Sequence, residues 1–84
     1  MKLYCKPVCP LCDEGYAVVA ELAPRFGLII EKIDIEGDAA LEAAHGHRIP
    51  VAVLDDEELG WGRLSRRALE RKLLQAVSKS PNSS

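Results

Sequence analysis

The residues with the clearest chemical potential are three cysteines between positions 5 and 12, and the chain contains no others. Cys9 and Cys12 enclose Pro10 and Leu11 in a C-x-x-C motif, and Cys5 precedes it. Two thiols at this spacing, with a strand before them and a helix after them, are typical of a redox pair. We therefore interpret Cys9 and Cys12 as a catalytic dithiol.

The helix expected after the motif gives a physical reason for reactivity at Cys9. If the helix begins near Cys9 or Pro10, the Cys9 sulfur faces unpaired backbone N–H groups and the positive end of the helix dipole. Both favour the thiolate, which is the nucleophile. We expect Lys6 to add positive charge beside the sulfur. Cys12, one turn later, is then the thiol that resolves a mixed disulfide on Cys9.

The same cysteines allow other interpretations. Together they spell C-x3-C-x2-C, the spacing with which radical-SAM enzymes hold a cluster, but that chemistry uses a large barrel. A zinc or iron–sulfur module with His45 or His47 as an extra ligand is a second alternative. A redox-inert interaction domain is a third. Cys5 itself is interpreted as a small buried side chain, with a regulatory thiol as the alternative.

Length and charge restrict the class of protein. The chain has 84 residues, enough for one domain, with 48% hydrophobic and 29% charged residues. The net charge is −2, so no nucleic-acid partner is expected. The most basic stretch is interpreted as the solvated face of a terminal helix; it contains Arg63, Arg66, Arg67, Arg71 and Lys72.

Neither a signal peptide nor a membrane span is visible. We therefore expect a cytoplasmic protein with no membrane partner, in a reducing compartment where structural disulfides are rare. We also expect a monomer.

The first half of the chain predicts a strand, a helix and a second strand. The first strand is Met1–Cys5, and the second, Leu28–Ile35, follows a break at Gly27. Pro24 is expected to kink or end the helix between them. Apolar residues at helical spacing mark its buried stripe, namely Cys12, Tyr16, Val19, Ala23 and Phe26.

The second half predicts a short helix, a hairpin and a final helix. Asp38 is expected to cap a helix over Ala39–His45, and Gly46 to end it in the left-handed conformation. Strands are predicted over Val51–Leu54 and Glu58–Arg63. Ser65 is expected to cap a last helix that reaches about Val77 and turns four apolar residues to the core, namely Leu69, Leu73, Leu74 and Val77.

This βαβαββα order predicts an α/β fold, with a mixed four-stranded sheet and helices on both faces. We assign residues 1–77 to one domain and residues 78–84 to a flexible C-terminal tail.

Two segments carry a resemblance to a known family. Tyr4–Cys12 resembles the active-site segment of glutaredoxins, and Arg48–Val51 resembles the cis-proline loop of the thioredoxin superfamily. The likeness runs in element order from Met1 to about Val77. It implies a thioredoxin-like fold, a cis Ile49–Pro50 peptide packed against the dithiol, and pairing of the Val51 backbone with a substrate backbone.

The resemblance also implies a function, namely thiol–disulfide exchange on a disulfide-containing protein or on glutathione mixed disulfides. No tightly bound cofactor and no metal are expected, and glutathione is a candidate co-substrate. The substrate-binding residues implied are Lys6, Pro10, Leu11, Arg48, Ile49, Pro50 and Val51.

Two departures from the glutaredoxin pattern concern the substrate. Leu11 replaces the usual tyrosine of the motif. The glutathione pocket usually continues with a Gly-Gly pair and an acidic residue, whereas Gly60–Ser65 reads G-W-G-R-L-S. Arg48 and Arg63 are candidates to receive glutathione carboxylates by bidentate pairing. The closer match is to small bacterial glutaredoxin-like proteins.

Overall fold

The computed structural model describes residues 1–78 as four strands and three α-helices in the predicted order. The elements are β1 (Lys2–Cys5), α1 (Pro10–Leu22), a 3-10 turn (Ala23–Phe26), β2 (Glu31–Asp34), α2 (Ala39–His45), β3 (Val51–Leu54), β4 (Glu57–Trp61) and α3 (Arg66–Ser78). The predicted tail begins at the last residue of α3, and its remaining residues, 79–84, lie outside the described part of the chain.

The strands form one sheet in the order β2-β1-β3-β4. β1 pairs with β2 in parallel, and the other two pairings are antiparallel. Side chains alternate across a strand, so Leu3 and Cys5 face one side of the sheet and Tyr4 the other. His45 of α2 stacks on Tyr4 with 4.3 Å between ring centroids. The predicted mixed sheet with helices on both faces is therefore confirmed.

The main core lies between the sheet and the pair formed by α1 and α3. Its fully buried members include Leu3, Val19, Leu22 and Leu73. Two ion pairs tie the outer surfaces of the helices together, with N–O distances of 2.7 Å for Arg66–Glu21 and 3.0 Å for Arg25–Glu70. Part of the predicted basic face is thus engaged with the neighbouring helix.

Three predicted core residues are exposed, namely Tyr16, Leu74 and Val77. Tyr16 follows Gly15 by about 100° around the helix, and Gly15 is the buried residue that packs against Pro50 and Leu64. The Tyr16 ring lies instead at the edge of the sheet, 5.2 Å from the Lys32 amine. On α3, Leu69 and Leu73 lie one turn apart on the buried face of the helix. Leu74, the next residue around the helix, therefore lies outside that face and is exposed.

The helix boundaries largely match the prediction. Pro10 is the first residue of α1, and the α-helix gives way to the 3-10 turn just before Pro24. The Asp38 carboxylate accepts a hydrogen bond from the Leu41 N–H at 3.1 Å, and the Ser65 hydroxyl accepts one from the Ala68 N–H at 3.3 Å. Both predicted caps are present.

The end of α2 differs from the prediction. Gly46 has φ −57°, which is right-handed, so the left-handed termination predicted for it is wrong. A Cβ built on Gly46 would lie 2.5 Å from the Glu42 carbonyl oxygen. The residue is therefore a glycine because the backbone of the preceding turn approaches it closely.

Two strands also have different limits. β2 is an edge strand that pairs with only the four residues of β1, so it is shorter than the predicted Leu28–Ile35. β4 begins at Glu57, because Asp55 and Asp56 alone form the turn, with φ of 50° and 67°. Positive φ at both positions is typical of a two-residue hairpin turn.

Within residues 1–78, no helix has the length and apolar character needed to cross a membrane.

Candidate functional site

Cys9 occupies the N-cap of α1, where the chain changes from extended to helical backbone. Its φ and ψ are −133° and 105°, and its sulfur accepts a hydrogen bond from the Cys12 backbone N–H at 3.2 Å. The side chain is half-buried, so solvent reaches it. The Cys9 sulfur thus caps the helix N-terminus, in the field of the helix dipole.

Cys12 lies directly behind Cys9 and is 1% exposed. Burial raises the pKa of its thiol to about 12, and the hydrogen bond to Cys9 and the nearby Cys5 and Cys9 sulfurs act in the same direction. A hydrogen bond from the backbone N–H of Lys6 opposes the rise in this pKa. Cys12 is therefore protonated at neutral pH, and its S–H is held beside the Cys9 sulfur.

Cys5 is the third thiol of the group and is also 1% exposed. Its S–H donates to the Leu3 carbonyl oxygen at 3.5 Å, and Cys12 is near enough to lower the pKa of Cys5. Burial raises the pKa of Cys5, and the positive charge of Lys32 partly offsets that rise. The expectation of a buried side chain at Cys5 is confirmed, and Cys12 is its neighbour.

The geometry gives no support to the metal alternatives. Within residues 1–78, no group of three or more His, Cys, Asp and Glu side chains is arranged to hold a metal ion. His45 stacks on Tyr4, on the face of the sheet opposite Cys5, and His47 is exposed. Neither predicted histidine ligand therefore joins the cysteines.

The second predicted segment approaches α1 one turn after Cys12. The Ile49–Pro50 peptide bond is cis, and Pro50 is buried. A Cβ built on Gly15 would lie 2.8 Å from Pro50 Cγ and 3.1 Å from Leu64 Cδ1. Only a residue without a side chain allows so close an approach, so Gly15 seats the proline loop against the helix that carries the dithiol.

The proline loop is joined in turn to the chain that follows β4. The Gly62 N–H donates to the carbonyl oxygens of Arg48 and Pro50, at 2.9 Å each. Val51 is already inside the sheet, with Tyr4 opposite it on one side and Trp61 on the other. Arg48 and Ile49, which precede Pro50, lie outside the strands and are half-buried.

Two of the predicted basic side chains, Arg48 and Lys6, have acidic partners in the structure. The Arg48 guanidinium pairs with Glu58 at 2.7 Å and lies 5.9 Å from the Trp61 ring centroid. Lys6 Nζ lies 4.0 Å from the carboxylate of Glu42 on α2. The backbone N–H of Lys6 is the group that interacts with the Cys12 thiol. Arg63 and Pro10 are exposed, and Leu11 is half-buried.

Sequence reasoning missed two residues of the site. Gly15 lies inside α1, and a glycine inside a helix is a sequence signal of close packing. Val8, directly before Cys9, is fully exposed and has φ 52°. Left-handed backbone is rare for a β-branched residue, and nothing in the local sequence indicates it.

Comparison with known proteins gives one match. A family model described as "Glutaredoxin-like domain (DUF836)" matches residues 1–76, which include both the cysteine segment and the proline loop. Neither the curated proteins nor the solved structures give a match.

Proposed function

The chain belongs to the glutaredoxin-like domain (DUF836) family, and on this premise we propose that it is a thiol–disulfide oxidoreductase in which Cys9 attacks and Cys12 resolves. The observation that carries the proposal is the pairing of the two sulfurs at the start of α1. The Cys9 sulfur is open to solvent and accepts the Cys12 N–H at 3.2 Å, while the Cys12 thiol is buried behind it.

In the first step the Cys9 thiolate attacks one sulfur of a substrate disulfide. A Cys9–substrate disulfide forms, the substrate S–S bond breaks, and the other substrate sulfur leaves as a thiolate. The Cys12 N–H and the helix dipole stabilise negative charge on Cys9 before the attack. The Cys12 S–H donates to the same sulfur.

In the second step Cys12 attacks the Cys9 sulfur of the mixed disulfide. The Cys9–Cys12 disulfide forms, and the second substrate sulfur leaves as a thiolate that takes up the proton lost by Cys12. Burial raises the pKa of Cys12, so the proton must be transferred as the bond forms. A cellular dithiol or glutathione then returns the protein to its reduced form.

The substrate we propose is a disulfide-containing protein or a glutathione mixed disulfide, lying across Cys9 and the loop before Pro50. Pro10 and Leu11 directly follow the attacking Cys9 in the sequence, and we propose that they contact the substrate beside its sulfur. Ile49, which precedes the cis peptide and lies outside the strands, is the residue we propose for backbone pairing with the substrate. Glu58 already pairs with Arg48 Nη1, so a glutathione carboxylate that binds Arg48 has to share the guanidinium with Glu58 or displace it.

The test compares two cysteine variants. We expect Cys9→Ser to lower the rate of disulfide reduction by about 1000-fold or more, because the attacking sulfur is lost. We expect Cys12→Ser to accumulate the mixed disulfide, visible by mass spectrometry as the chain plus the substrate half. Leu74→Ser, an exposed change on α3, is the control and keeps wild-type turnover.

Assaying each variant with a glutathione mixed disulfide and with a protein disulfide separates the two substrate classes. If Cys9→Ser reduced either substrate at the wild-type rate, Cys9 would not be the nucleophile and the proposal would fail.

A further inference from the structure

Cys5 is a thiol that the two-cysteine cycle does not use, although it lies beside the resolving thiol of that cycle. It is the last residue of β1, and Cys12 lies in the first turn of α1, on the same side of the sheet. Both are 1% exposed and belong to the same buried cluster. The two thiols are near enough for each to shift the pKa of the other. Cys12 therefore has two sulfur neighbours, the half-buried Cys9 and the fully buried Cys5.

Cys5 also borders open space. A cleft of about 280 Å³ lies along it at the edge of the sheet, lined by Cys5, Lys6, Pro7, Lys32, Ile33 and Asp34. Lys32 is near enough for its charge to favour the Cys5 thiolate. The cleft thus places two opposing charges near Cys5, the Lys32 ammonium that favours its anion and the Asp34 carboxylate that disfavours it, and gives its proton a route to water.

We propose that Cys5 is a third redox thiol, which converts the Cys9–Cys12 disulfide into a buried Cys5–Cys12 disulfide. This inference rests on the proposed function, since that function supplies the first disulfide. The Cys5 thiolate attacks the Cys12 sulfur, the Cys5–Cys12 bond forms, and the Cys9–Cys12 bond breaks. Cys9 leaves as a thiolate, and the proton given up by Cys5 passes to solvent. The exchange needs no additional oxidant, because the number of disulfides does not change.

The exchange alters what the oxidised protein can do. In the Cys9–Cys12 form the attacking sulfur is blocked. In the Cys5–Cys12 form Cys9 is again a solvent-accessible thiol, and the thiol that would resolve its mixed disulfide is occupied. The protein then acts through Cys9 alone, and a mixed disulfide with a small thiol such as glutathione persists on it.

The experiment locates the free thiol in the oxidised wild-type chain. The reduced protein is treated with one equivalent of diamide, which takes up the two electrons and two protons of one disulfide, and is left to equilibrate. N-ethylmaleimide then labels the free thiol. The disulfide is next reduced, and iodoacetamide labels the two cysteines that it had joined. Trypsin releases all three cysteines in residues 3–25, because Pro7 protects the bond after Lys6, so fragment-ion spectra must place each label.

We expect N-ethylmaleimide on Cys9 in at least about one tenth of the oxidised chains, because a tenfold preference between isomers corresponds to only about 1.4 kcal/mol. In the matched control Cys5→Ala, the Cys9–Cys12 disulfide forms and no free thiol remains, so the oxidised chain carries no N-ethylmaleimide. Label found only on Cys5 of the wild type overturns this inference and leaves the proposed function standing. A chain that forms no disulfide at all overturns both.

Discussion

The two faces of the sheet differ in how they hold their helices. On the face covered by α1 and α3, both the strands and the helices contribute fully buried side chains. On the other face Val51 of β3 and Ile35, directly after β2, are buried, but α2 has no buried residue. α2 is held through the stack of His45 on Tyr4 and the exposed contact of Lys6 with Glu42.

This difference shows which contacts position the sulfurs of the candidate site. All three thiols lie on the tightly packed side, where Cys5 and Cys12 are themselves core residues. The positions of the sulfurs are therefore set by the same contacts that stabilise the domain. The proline loop follows α2: its Arg48 N–H donates to the His45 carbonyl oxygen at 2.9 Å, and its Pro50 ring is seated against Gly15 of α1.

The largest effect on the free energy of unfolding is expected when a core side chain is removed from the face covered by α1 and α3. We expect Leu73→Ala to lower the free energy of unfolding by about 3 kcal/mol, because Leu73 is fully buried and its removal leaves a cavity. The neighbouring Leu74→Ala should change it by less than about 0.5 kcal/mol, since Leu74 is exposed. Urea denaturation followed by circular dichroism measures both, and equal effects would show that the face assignment is wrong.

A smaller effect is expected where the proline loop meets α1. Gly15→Ala gains about 1 kcal/mol of helix propensity but forces a Cβ to 2.8 Å from the Pro50 ring, which cannot rotate away. Because overpacking costs about 1–3 kcal/mol, we expect a net loss of about 1 kcal/mol, together with slower disulfide reduction as the loop shifts.

The control for this change is Ala17→Gly, on the exposed side of α1, which measures the propensity effect alone. A Gly15→Ala variant that is more stable than the wild type and equally active would refute the close packing of the loop on the helix.

The smallest effect is expected on the α2 face, and it has the opposite sign. The buried His45 Nδ1 has no hydrogen-bond partner among residues 1–78. His45→Phe keeps an aromatic ring on Tyr4 and removes this unpaired atom, so we expect stability to rise by about 0.5–1 kcal/mol. His47→Phe, at an exposed position, is the control and should be neutral. A loss of stability in His45→Phe, measured by thermal unfolding, would mean that the ring nitrogen is satisfied.

Local features were predictable because each depends on a few adjacent residues. A cap needs a side-chain oxygen within three residues of the N–H it satisfies, and Asp38 and Ser65 both meet that condition. Proline at the start of a helix needs only its own ring, and Pro10 lies there. The failures at Tyr16, Leu74 and Gly46 are of another kind, because each depends on how closely a neighbouring element or turn approaches.

The order of the elements, and the placement of Cys9 at the start of a helix with Cys12 one turn behind it, followed from the amino-acid pattern alone. Three other features became visible only in the packed chain, namely that Cys5 lies beside Cys12, that Pro50 rests on Gly15, and that Arg48 pairs with Glu58. The two groups differ in the range of their interactions. Hydrogen bonds and dipoles at a helix start act within one turn, whereas each of these three contacts joins residues from separate segments, which meet only once the sheet and its helices have packed.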